Sequence, residues 1–569
     1  MSKFLRFAAL TVAVAVLVAC GKSQTDQQDL PLAFVPADTL FVFANSEPMP
    51  KDVLDAQSRK MQSMWPIVFG MYDKMLDQIS HEAKTPIDEK STKLAHALLD
   101  EFRTRDTLDK LRELGFKPDG HIAFYSVGVM PVLRTELGDP AALKAMIARI
   151  EQKVGTQMAT GKLGAQEYWY VGDEKLSFVM AIQNTHLVIT GWPNAVSDAT
   201  KQALLGLTRP EKNLADAGTL QTIAKQYGYT PYGVGYFDTV ALVQRLTTMP
   251  SGTDQDLAKS LEIPVEQIAK IEPACKDEGL ALARKFPRLI FGTEKIQAGQ
   301  TKVGFQLELD PELAKQVMDY AIPAPGTGAP AQGLYDISLS IPVLKIQEFW
   351  TKQLDAVAAK PFACPELAML IALKLPSLRA TLNTAIPTPF SDLTGMRLTL
   401  DHIELHGKDV PDISARALVD MNNPLGAFGM AQLVLPQLKD VKIAADGKPV
   451  AVPLPDLPAS VPPLSIALSD KAIALSAGKD TAVSLGDYLA APSAATPIVM
   501  RVHMDGKIFD IFGTFIDQIK DTLTAEQLQV FELEKQIFAI DAKLLHSVDF
   551  EVEVNAHGIG VHETVDGAQ

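Results

Sequence analysis

The sequence is poor in cysteine, with only three in 569 residues. Three cysteines cannot build a disulfide-dense scaffold or a four-thiolate zinc site. The familiar catalytic motifs are also missing, since no Walker A sequence, Gly-x-Ser-x-Gly, Cys-x-x-Cys or His-Glu-x-x-His occurs in it. The nearest approach, His81-Glu82, is followed by Ala-Lys-Thr and lacks the second histidine. The motifs therefore point to no particular enzyme class.

Positive charge is scarce as well, because 53 Lys and Arg residues face 68 Asp and Glu residues, for a net charge of −15. Such a balance argues against a nucleic-acid-binding protein, which needs basic side chains to neutralise phosphates. The composition, 47% apolar and 21% charged, is typical of a globular protein. At roughly 100–200 residues per domain, the length allows about three to five domains.

The amino terminus carries the pattern of an export signal. Lys3 and Arg6 precede an apolar run over residues 7–19, in which Thr11 is the one polar residue. This run is too short for a stable transmembrane helix, which needs roughly 20 residues to cross about 30 Å of hydrocarbon. Positive charge, an apolar stretch and then small residues is the order of a secretory signal peptide.

The run ends in Leu17-Val18-Ala19-Cys20-Gly21, which resembles the lipobox of bacterial lipoproteins. The resemblance implies cleavage after residue 19, lipidation of Cys20 (palmitate among the acyl groups) and stable membrane anchoring. Gly21 and Lys22 take the place of the Asp that often marks inner-membrane retention in that family, so the outer membrane is favoured. The alternative is an ordinary signal peptide with an incidental cysteine. Residues 20–30 predict a polar tether, and the mature chain would carry a charge of −17 because Lys3 and Arg6 are lost.

A four-fold pattern organises the rest of the chain. An apolar strand followed by a helix occurs at residues 39–45, 232–238, 334–340 and 498–505, and a β-hairpin follows each at about 121–137, 288–309, 396–420 and 547–565. Three hairpins lead into a helix through Asp139-Pro140, Asp310-Pro311 or Asn423-Pro424, which predicts a capped helix start. The first and third copies add a meander, at residues 166–192 and 441–477.

These elements predict an α+β fold made by tandem duplication, with mostly antiparallel sheets and helices on one face. The predicted domains are a signal peptide (1–19), a lipidated tether (20–30) and two repeats. The first repeat, 31–325, divides into modules 31–210 and 211–325, and the second, 326–569, into modules 326–494 and 495–569. With Phe34-Val-Pro-Ala-Asp-Thr-Leu40 after the tether, the arrangement resembles a set of proteobacterial envelope lipoproteins of unknown function. That resemblance implies no activity and no site residues.

Two cysteines remain after lipidation, Cys275 and Cys364. An even pair in an oxidising compartment predicts one disulfide, which would join the second module to the third. Two buried free thiols are the alternative. A catalytic thiol is less favoured, since no histidine lies near either cysteine in sequence.

One histidine cluster could ligate a metal ion. His402, Glu404 and His406 are spaced by two, so they share one face if they lie on a strand. Such a set could bind zinc with an open position, with His557 or His562 as a further ligand. The favoured alternative is a solvated strand face.

Two further patterns have structural alternatives that we favour. Asp238 and Asp505 end matching strands and could be paired catalytic carboxylates, but we favour helix capping as their role. Aromatic residues at 168–170 and 227–237 could stack on sugars or lipid, but aromatics in strands usually pack in the core.

The sequence therefore predicts a membrane-anchored lipoprotein facing the periplasm, in the outer membrane rather than the inner one. We expect a non-catalytic binding or structural protein of the envelope without cofactors. Its partners would be the membrane, through the lipid on Cys20, and an envelope protein or lipid, but not nucleic acid. The alternatives are a periplasmic carrier of apolar ligands and a metal-dependent envelope hydrolase.

Overall fold

The computed structural model describes residues 29–82, 89–406, 411–453, 462–478 and 481–567. Over these ranges the chain combines helices with extensive antiparallel sheet, as predicted. The helices are α1 (Lys51–Glu82), α2 (Glu89–Arg103), α3 (Leu108–Arg112), α4 (Pro140–Val154), α5 (Asp198–Leu205), α6 (Leu214–Ala217), α7 (Thr219–Tyr227), α8 (Thr239–Thr247), α9 (Gly252–Ser260), α10 (Val265–Ala269), α11 (Pro273–Lys285), α12 (Pro311–Tyr320), α13 (Val343–Ala359), α14 (Pro365–Leu382), α15 (Pro424–Val434), α16 (Leu485–Ala490), α17 (Lys507–Ile519) and α18 (Ala525–Leu544).

The strands begin and end close to their predicted positions, and each predicted hairpin is present. They are β1 (Phe41–Ala44), β2 (Ile122–Val127), β3 (Met130–Glu136), β4 (Ala159–Leu163), β5 (Gln166–Gly172), β6 (Leu176–Gln183), β7 (His186–Pro193), β8 (Val234–Asp238), β9 (Arg288–Gln297), β10 (Gln300–Glu308), β11 (Tyr335–Ser340), β12 (Leu393–Glu404), β13 (Asp412–Met421), β14 (Val450–Val452), β15 (Leu464–Leu468), β16 (Ala472–Ala477), β17 (Ile498–Asp505), β18 (Leu545–Asn555) and β19 (Gly558–Gly567).

The chain divides into two compact units whose boundary differs from the predicted one after residue 325. Over the described residues, unit 1 comprises 29–271 and 287–303, and unit 2 comprises 272–286 and 304–567. The chain thus passes between the units three times. Two segments near this boundary, α11 and β9, each belong to the unit to which they are bonded. Strand β9 pairs with β8 in unit 1, and α11 is disulfide-bonded to Cys364 of unit 2.

In unit 1 the strands pair in the order β4-β5-β6-β7-β3-β2-β1-β8-β9. Adjacent residues of β7 belong to different apolar clusters, because Val188 packs with α5–α7 while Leu187 packs with α1, α2 and α4. Successive residues of a strand point to opposite faces, so both faces of this sheet are covered by helices. The expectation of helices on one face only is wrong for this unit, because the short helices α5–α7 form a second layer.

In unit 2 the order is β14-β15-β16-β13-β12-β11-β17-β18-β19. Helix α16 packs on one face through Leu485 and Tyr488. Helix α15 packs through Phe428 with Ile466, Leu468 and Ile473 of β15 and β16. Ile473 and Ala474 are adjacent on β16 and contact different helices. Helices therefore cover parts of both faces in this unit too.

The predicted Asp/Asn-Pro starts are capped helix starts. Asp139 accepts hydrogen bonds from the backbone N–H groups of α4, and Asp310 does the same for α12. Asn423 accepts from the N–H of Gly426 in α15. Each side chain satisfies a backbone donor that has no partner within the helix, and the proline that follows it lacks such a donor.

Helix α1 is longer than the segment predicted after the first strand, since it continues through Pro66 to Glu82. Beyond the proline-containing turn, Phe69 is buried with Trp65 against α2, and the indole N–H of Trp65 donates to the carbonyl of Phe102 at 2.8 Å. Burial of these aromatics favours continuation of the helix, although proline removes one backbone hydrogen bond.

Candidate functional site

The central strands of unit 2 form a sheet whose two faces differ sharply in chemistry. Side chains of directly paired residues share a face. One row on the first face reads Ser476–Arg416–Thr399–Asp336–His503–Asp549 across six strands, and its neighbour reads Ala474–Leu418–Arg397–Ser338–Arg501–Glu551. We call these two rows the polar face of unit 2.

The polar face is the buried one. Asp336 is 0% exposed and Arg397 is 1% exposed. The segment before β11 covers these strands, because Arg501 donates to the carbonyls of Gly326 (3.0 Å), Thr327 (3.2 Å) and Ala329 (2.7 Å). A charged group in such a position costs free energy unless it is paired and hydrogen-bonded.

The buried arginines on the polar face are all hydrogen-bonded. The Asp336 carboxylate accepts from Nε of Arg397 at 3.0 Å and from its Nη2 at 2.5 Å. Burial acts against the charge of Arg397, but the pairing with Asp336 outweighs it and raises the pKa of Arg397. Arg416 is paired with Asp401 in the same bidentate way, at 2.8 and 2.5 Å.

The ring of Tyr488 lies beside both guanidinium groups, with its centroid 4.5 Å from Cζ of Arg397 and 4.6 Å from Cζ of Arg416. Its hydroxyl is 3.0 Å from Oγ1 of Thr399, and burial raises the pKa of Tyr488 to about 12. Gly326, with a φ of +71°, lies against the Arg397 guanidinium, and a Cβ at this position would collide with Nη1 of Arg397. The guanidinium is thus enclosed by protein, so the polar face has a structural role.

The opposite face contains three apolar rows. They are Leu475–Ala417–Leu398–Ile337–Val502–Phe550, Ile473–Val419–Met396–Leu339–Met500–Val552 and Ala477–Ala415–Leu400–Tyr335–Met504–Val548. We call these 18 side chains the apolar face of unit 2. None carries a charge, and the only polar atom among them is the Tyr335 hydroxyl.

The apolar face is open although it is the more hydrophobic of the two. None of its residues is fully buried, and three are exposed: Leu475 by 45%, Leu398 by 43% and Met396 by 36%. Helices α13 and α14, which connect β11 to β12, contain no fully buried residue except Cys364 at the α14 cap. Their exposed side chains include Trp350, Met369 and Leu373. Exposed apolar patches of this kind mark binding surfaces in soluble proteins.

The predicted disulfide is present at bonding distance. Cys275 of α11 and Cys364, which precedes α14, have their sulfur atoms 2.04 Å apart. The Glu278 carboxylate reinforces this link, because it accepts the N–H groups of Ala363 at 2.8 Å and of Cys364 at 2.9 Å. Both cysteines belong to unit 2, so the link fastens α11 to the start of α14 within one unit.

A carboxylate oxygen of Glu366 lies 3.2 Å from each of these sulfur atoms. Among the described residues, this is the one group of three His, Cys, Asp or Glu side chains whose ligand atoms come close enough for a shared metal ion. Thiolates are metal ligands, but sulfurs joined to each other in a disulfide are not. The group therefore serves as a cross-link.

The histidine cluster is less compact than a metal site requires. Nε2 of His402 is 3.9 Å from a carboxylate oxygen of Glu404, and both side chains are exposed. His406 is also exposed, beyond the end of β12. His562 lies 3.4 Å from Glu553 of the neighbouring strand. A zinc site at His402, Glu404 and His406 stays a prediction.

The matching aspartates lie at helix starts. Asp238 caps α8 and accepts a hydrogen bond from the N–H of Ala241 at 2.7 Å, while Asp505 precedes the cap residue Gly506 of α17 and accepts from the N–H of Lys507 at 2.9 Å. The aromatic stretches pack internally, with the ring centroids of Tyr168 and Trp192 at 5.3 Å and those of Tyr227 and Tyr229 at 6.0 Å. Cys20 and the rest of the proposed signal peptide lie outside the described residues.

Sequence reasoning missed the two faces of unit 2, although a signal for them existed. In β11 and β12 the charged or hydroxyl residues Asp336, Ser338, Arg397 and Thr399 alternate with apolar ones. Alternation shows that a strand has a polar and an apolar face, but it does not say which face is covered. The usual assumption of an apolar inside would have assigned these faces the wrong way round.

No protein-family model, curated protein or solved structure matches this chain. No helix within the described residues is both long and apolar enough to cross a membrane. The site must accordingly be interpreted from its own geometry.

Proposed function

We propose that this protein is a non-catalytic binding protein of the bacterial envelope, anchored by a lipid on Cys20 and facing the periplasm. The observation that carries the binding role is the reversed sheet of unit 2, whose charged face is buried and whose apolar face is open. Leaving so many apolar side chains partly in water forgoes stabilisation, at roughly 25 cal/mol for each Å² of apolar surface that stays accessible. A surface kept open at that cost is best explained by a ligand.

The chemistry of the described residues favours binding over catalysis. Asp336 and Arg397, the most deeply buried charges of the polar face, are paired and covered, and the Asp238 and Asp505 carboxylates accept backbone N–H groups at helix starts. A catalytic centre needs reactive groups that a substrate can reach, with pKa values set for the reaction. The His402 and Glu404 side chains are both exposed, whereas metal ligands are usually oriented by a surrounding shell of hydrogen bonds.

We also propose that the two units descend from a tandem duplication. In each, the first strand lies between a hairpin and a later strand: β1 between β2 and β8, and β11 between β12 and β17. A meander extends the sheet beyond the first hairpin in both units, and a second hairpin begins beyond β8 or β17. The same order in both halves supports duplication, as do the shared Asp/Asn-Pro helix starts.

The anchor rests on the order of charge, apolar run, small residues and cysteine at residues 3–20. The described structure begins at residue 29, so the tether can extend by at most about 30 Å from Cys20. The protein would therefore work close to the membrane surface. Multiple acyl chains give stable anchoring, because each buried CH₂ contributes about 0.8 kcal/mol.

Replacement of the lipidated residue tests the anchor directly. In fractionated bacteria, wild-type protein is expected with the outer membrane and Cys20→Ser protein in the soluble fraction or uncleaved. Ser23→Ala is the control, since it changes the predicted tether but keeps every cysteine, and it should leave fractionation unchanged. Retention of mature Cys20→Ser protein in the outer membrane would refute the anchor.

A further inference from the structure

The open apolar face of unit 2 has the size and chemistry of a binding site for aliphatic chains. We infer that it holds the acyl chains of individual lipid molecules, a ligand assignment that rests on the proposed binding function. Three features of the face carry this inference: its lack of charge, its recessed position and its limited area.

The composition of the face selects the chemistry of the ligand. Its rows consist of aliphatic and thioether side chains with one phenylalanine and one tyrosine, so they can offer contact but almost no hydrogen bonds. A sugar or a peptide would lose hydrogen bonds to water without replacement, which costs free energy. The backbone groups of these strands already pair with each other in the sheet, so they cannot receive an added peptide strand. A hydrocarbon chain loses nothing in this way.

The recessed position distinguishes a single lipid molecule from a bilayer surface. Most side chains of the three rows, Ile337 and Val502 among them, are half-buried, and only Leu398, Leu475 and Met396 are exposed. A flat bilayer would touch only protruding groups. A flexible acyl chain can lie between protruding side chains and contact the half-buried ones.

The area also favours a small ligand over a protein. Six strands at about 4.8 Å spacing span about 24 Å, and three rows extend over about 14 Å, for about 340 Å² in all. Stable protein interfaces bury about 800 Å² on each partner, more than twice this area. An acyl chain spans half of a hydrocarbon core of about 30 Å, so it fits along the face.

The first experiment uses purified mature protein carrying Cys20→Ser, titrated with cis-parinaric acid, a fluorescent fatty acid. We expect saturable binding, and about tenfold weaker binding for Leu398→Asp, because the charge would face the hydrocarbon chain. The control is Leu246→Asp, a matched change at an exposed leucine of α8 in unit 1. Equal affinity for both variants would overturn the assignment.

A second measurement covers the case in which Leu398→Asp protein fails to fold. A fatty acid with a photoreactive diazirine is cross-linked to unmodified protein, and the attachment sites are mapped by mass spectrometry. Sites on β11, β12, β13 or β17 are expected. Attachment confined to unit 1, or to the outward residues of α14 together with co-flotation on phosphatidylethanolamine vesicles, would refute the acyl-chain site.

These outcomes separate the inference from the proposed function. If no fatty acid binds but an envelope protein co-purifies through unit 2, the acyl-chain assignment is wrong while the binding role stands. If fatty acid binds and the anchor test fails, the acyl site stands and the anchored location is wrong.

Discussion

The two units have a similar strand order but hold their fully buried arginines differently. In unit 1, Arg134 is fully buried and donates to neutral groups among the described residues, the Gln183 side chain at 2.7 Å and the Leu205 carbonyl at 2.5 Å. The ring of Phe34 lies 3.7 Å from its Cζ atom. In unit 2, Arg397 is almost as deeply buried but donates hydrogen bonds to the Asp336 carboxylate. Unit 1 thus surrounds its fully buried arginine with neutral groups, whereas unit 2 pairs its fully buried arginine with Asp336.

The sheets differ accordingly in what surrounds them. Unit 1 has an apolar cluster on each face, so its alternating strands are covered on both sides. Unit 2 buries the polar face of its central strands and leaves most of the apolar one partly exposed. One sheet topology can therefore serve as a closed core in one half of a chain and as an open surface in the other.

The largest effect is expected from the cross-link, which only unit 2 possesses. Replacing both Cys275 and Cys364 with alanine opens a loop with a sequence separation of 89 residues. The chain-entropy model gives a loss of about 4–5 kcal/mol in the free energy of unfolding. Hydrogen–deuterium exchange with mass spectrometry should place the loss in unit 2, and an equal loss in unit 1 would contradict the division into units.

Asp336→Ala should lower the free energy of unfolding by about 3–5 kcal/mol, because it leaves Arg397 buried without its counter-charge. It also removes the negative charge that lies 3.9 Å from Arg501. Denaturant unfolding measures the change. Ser338→Ala is the matched control on the same strand and face, since the buried Ser338 hydroxyl has no hydrogen-bond partner and its removal should change little. A similar cost for both variants would show that packing, not ion pairing, stabilises the polar face.

Arg134→Met should cost less, about 1–3 kcal/mol, because it removes hydrogen bonds without leaving a buried charge behind. Burial lowers the pKa of Arg134, which means that keeping its charge inside the protein costs free energy. The substitution removes that cost together with the charge. The comparison between the units predicts that Asp336→Ala is the more harmful change. The reverse order in denaturant unfolding would contradict it.

Two histidines give the units opposite responses to acid. Burial and the nearby Arg134 lower the pKa of His186 in unit 1 to about 4, whereas the hydrogen bond with Asp549 raises the pKa of His503 in unit 2, with Asp336 and Asp505 acting in the same direction. A lowered histidine pKa costs stability as the pH falls below about 6.5. A raised one adds stability that is fully present below about 6.5 and is lost as the pH rises through the raised pKa.

Between about pH 7 and pH 5, His186 should lower the free energy of unfolding by roughly 1–2 kcal/mol, and His186→Asn should abolish this decrease. His503 should raise the free energy of unfolding by a smaller amount over the same pH interval, and His503→Asn should abolish this increase. Unfolding free energies at several pH values, compared with wild type, measure both differences. Differences of the same sign would contradict the opposite environments described for the two rings.

Much of the fold could be predicted from sequence, because strand alternation and Asp/Asn-Pro starts are local signals. The hairpins and the caps at Asp139, Asp310 and Asn423 follow from such signals. The pairing of Cys275 with Cys364 was predictable because only these two cysteines remain when Cys20 is assigned to the lipid. The open face did not, because exposure of Leu398 depends on which distant segments cover each side of the sheet. The exchange of β9 and α11 between units was missed for the same reason.

The three passages of the chain between the units bear on how this protein could be divided or rearranged. A fragment ending at Ile271 would lack β9 and leave the edge of β8 unprotected against pairing with other chains. A fragment starting at Gly304 would lack Cys275, so Cys364 would carry a free thiol able to cross-link to another molecule. Neither half can be cut out at a single position. If duplication produced them, the halves have since become inseparable, and they must be synthesised and inherited together.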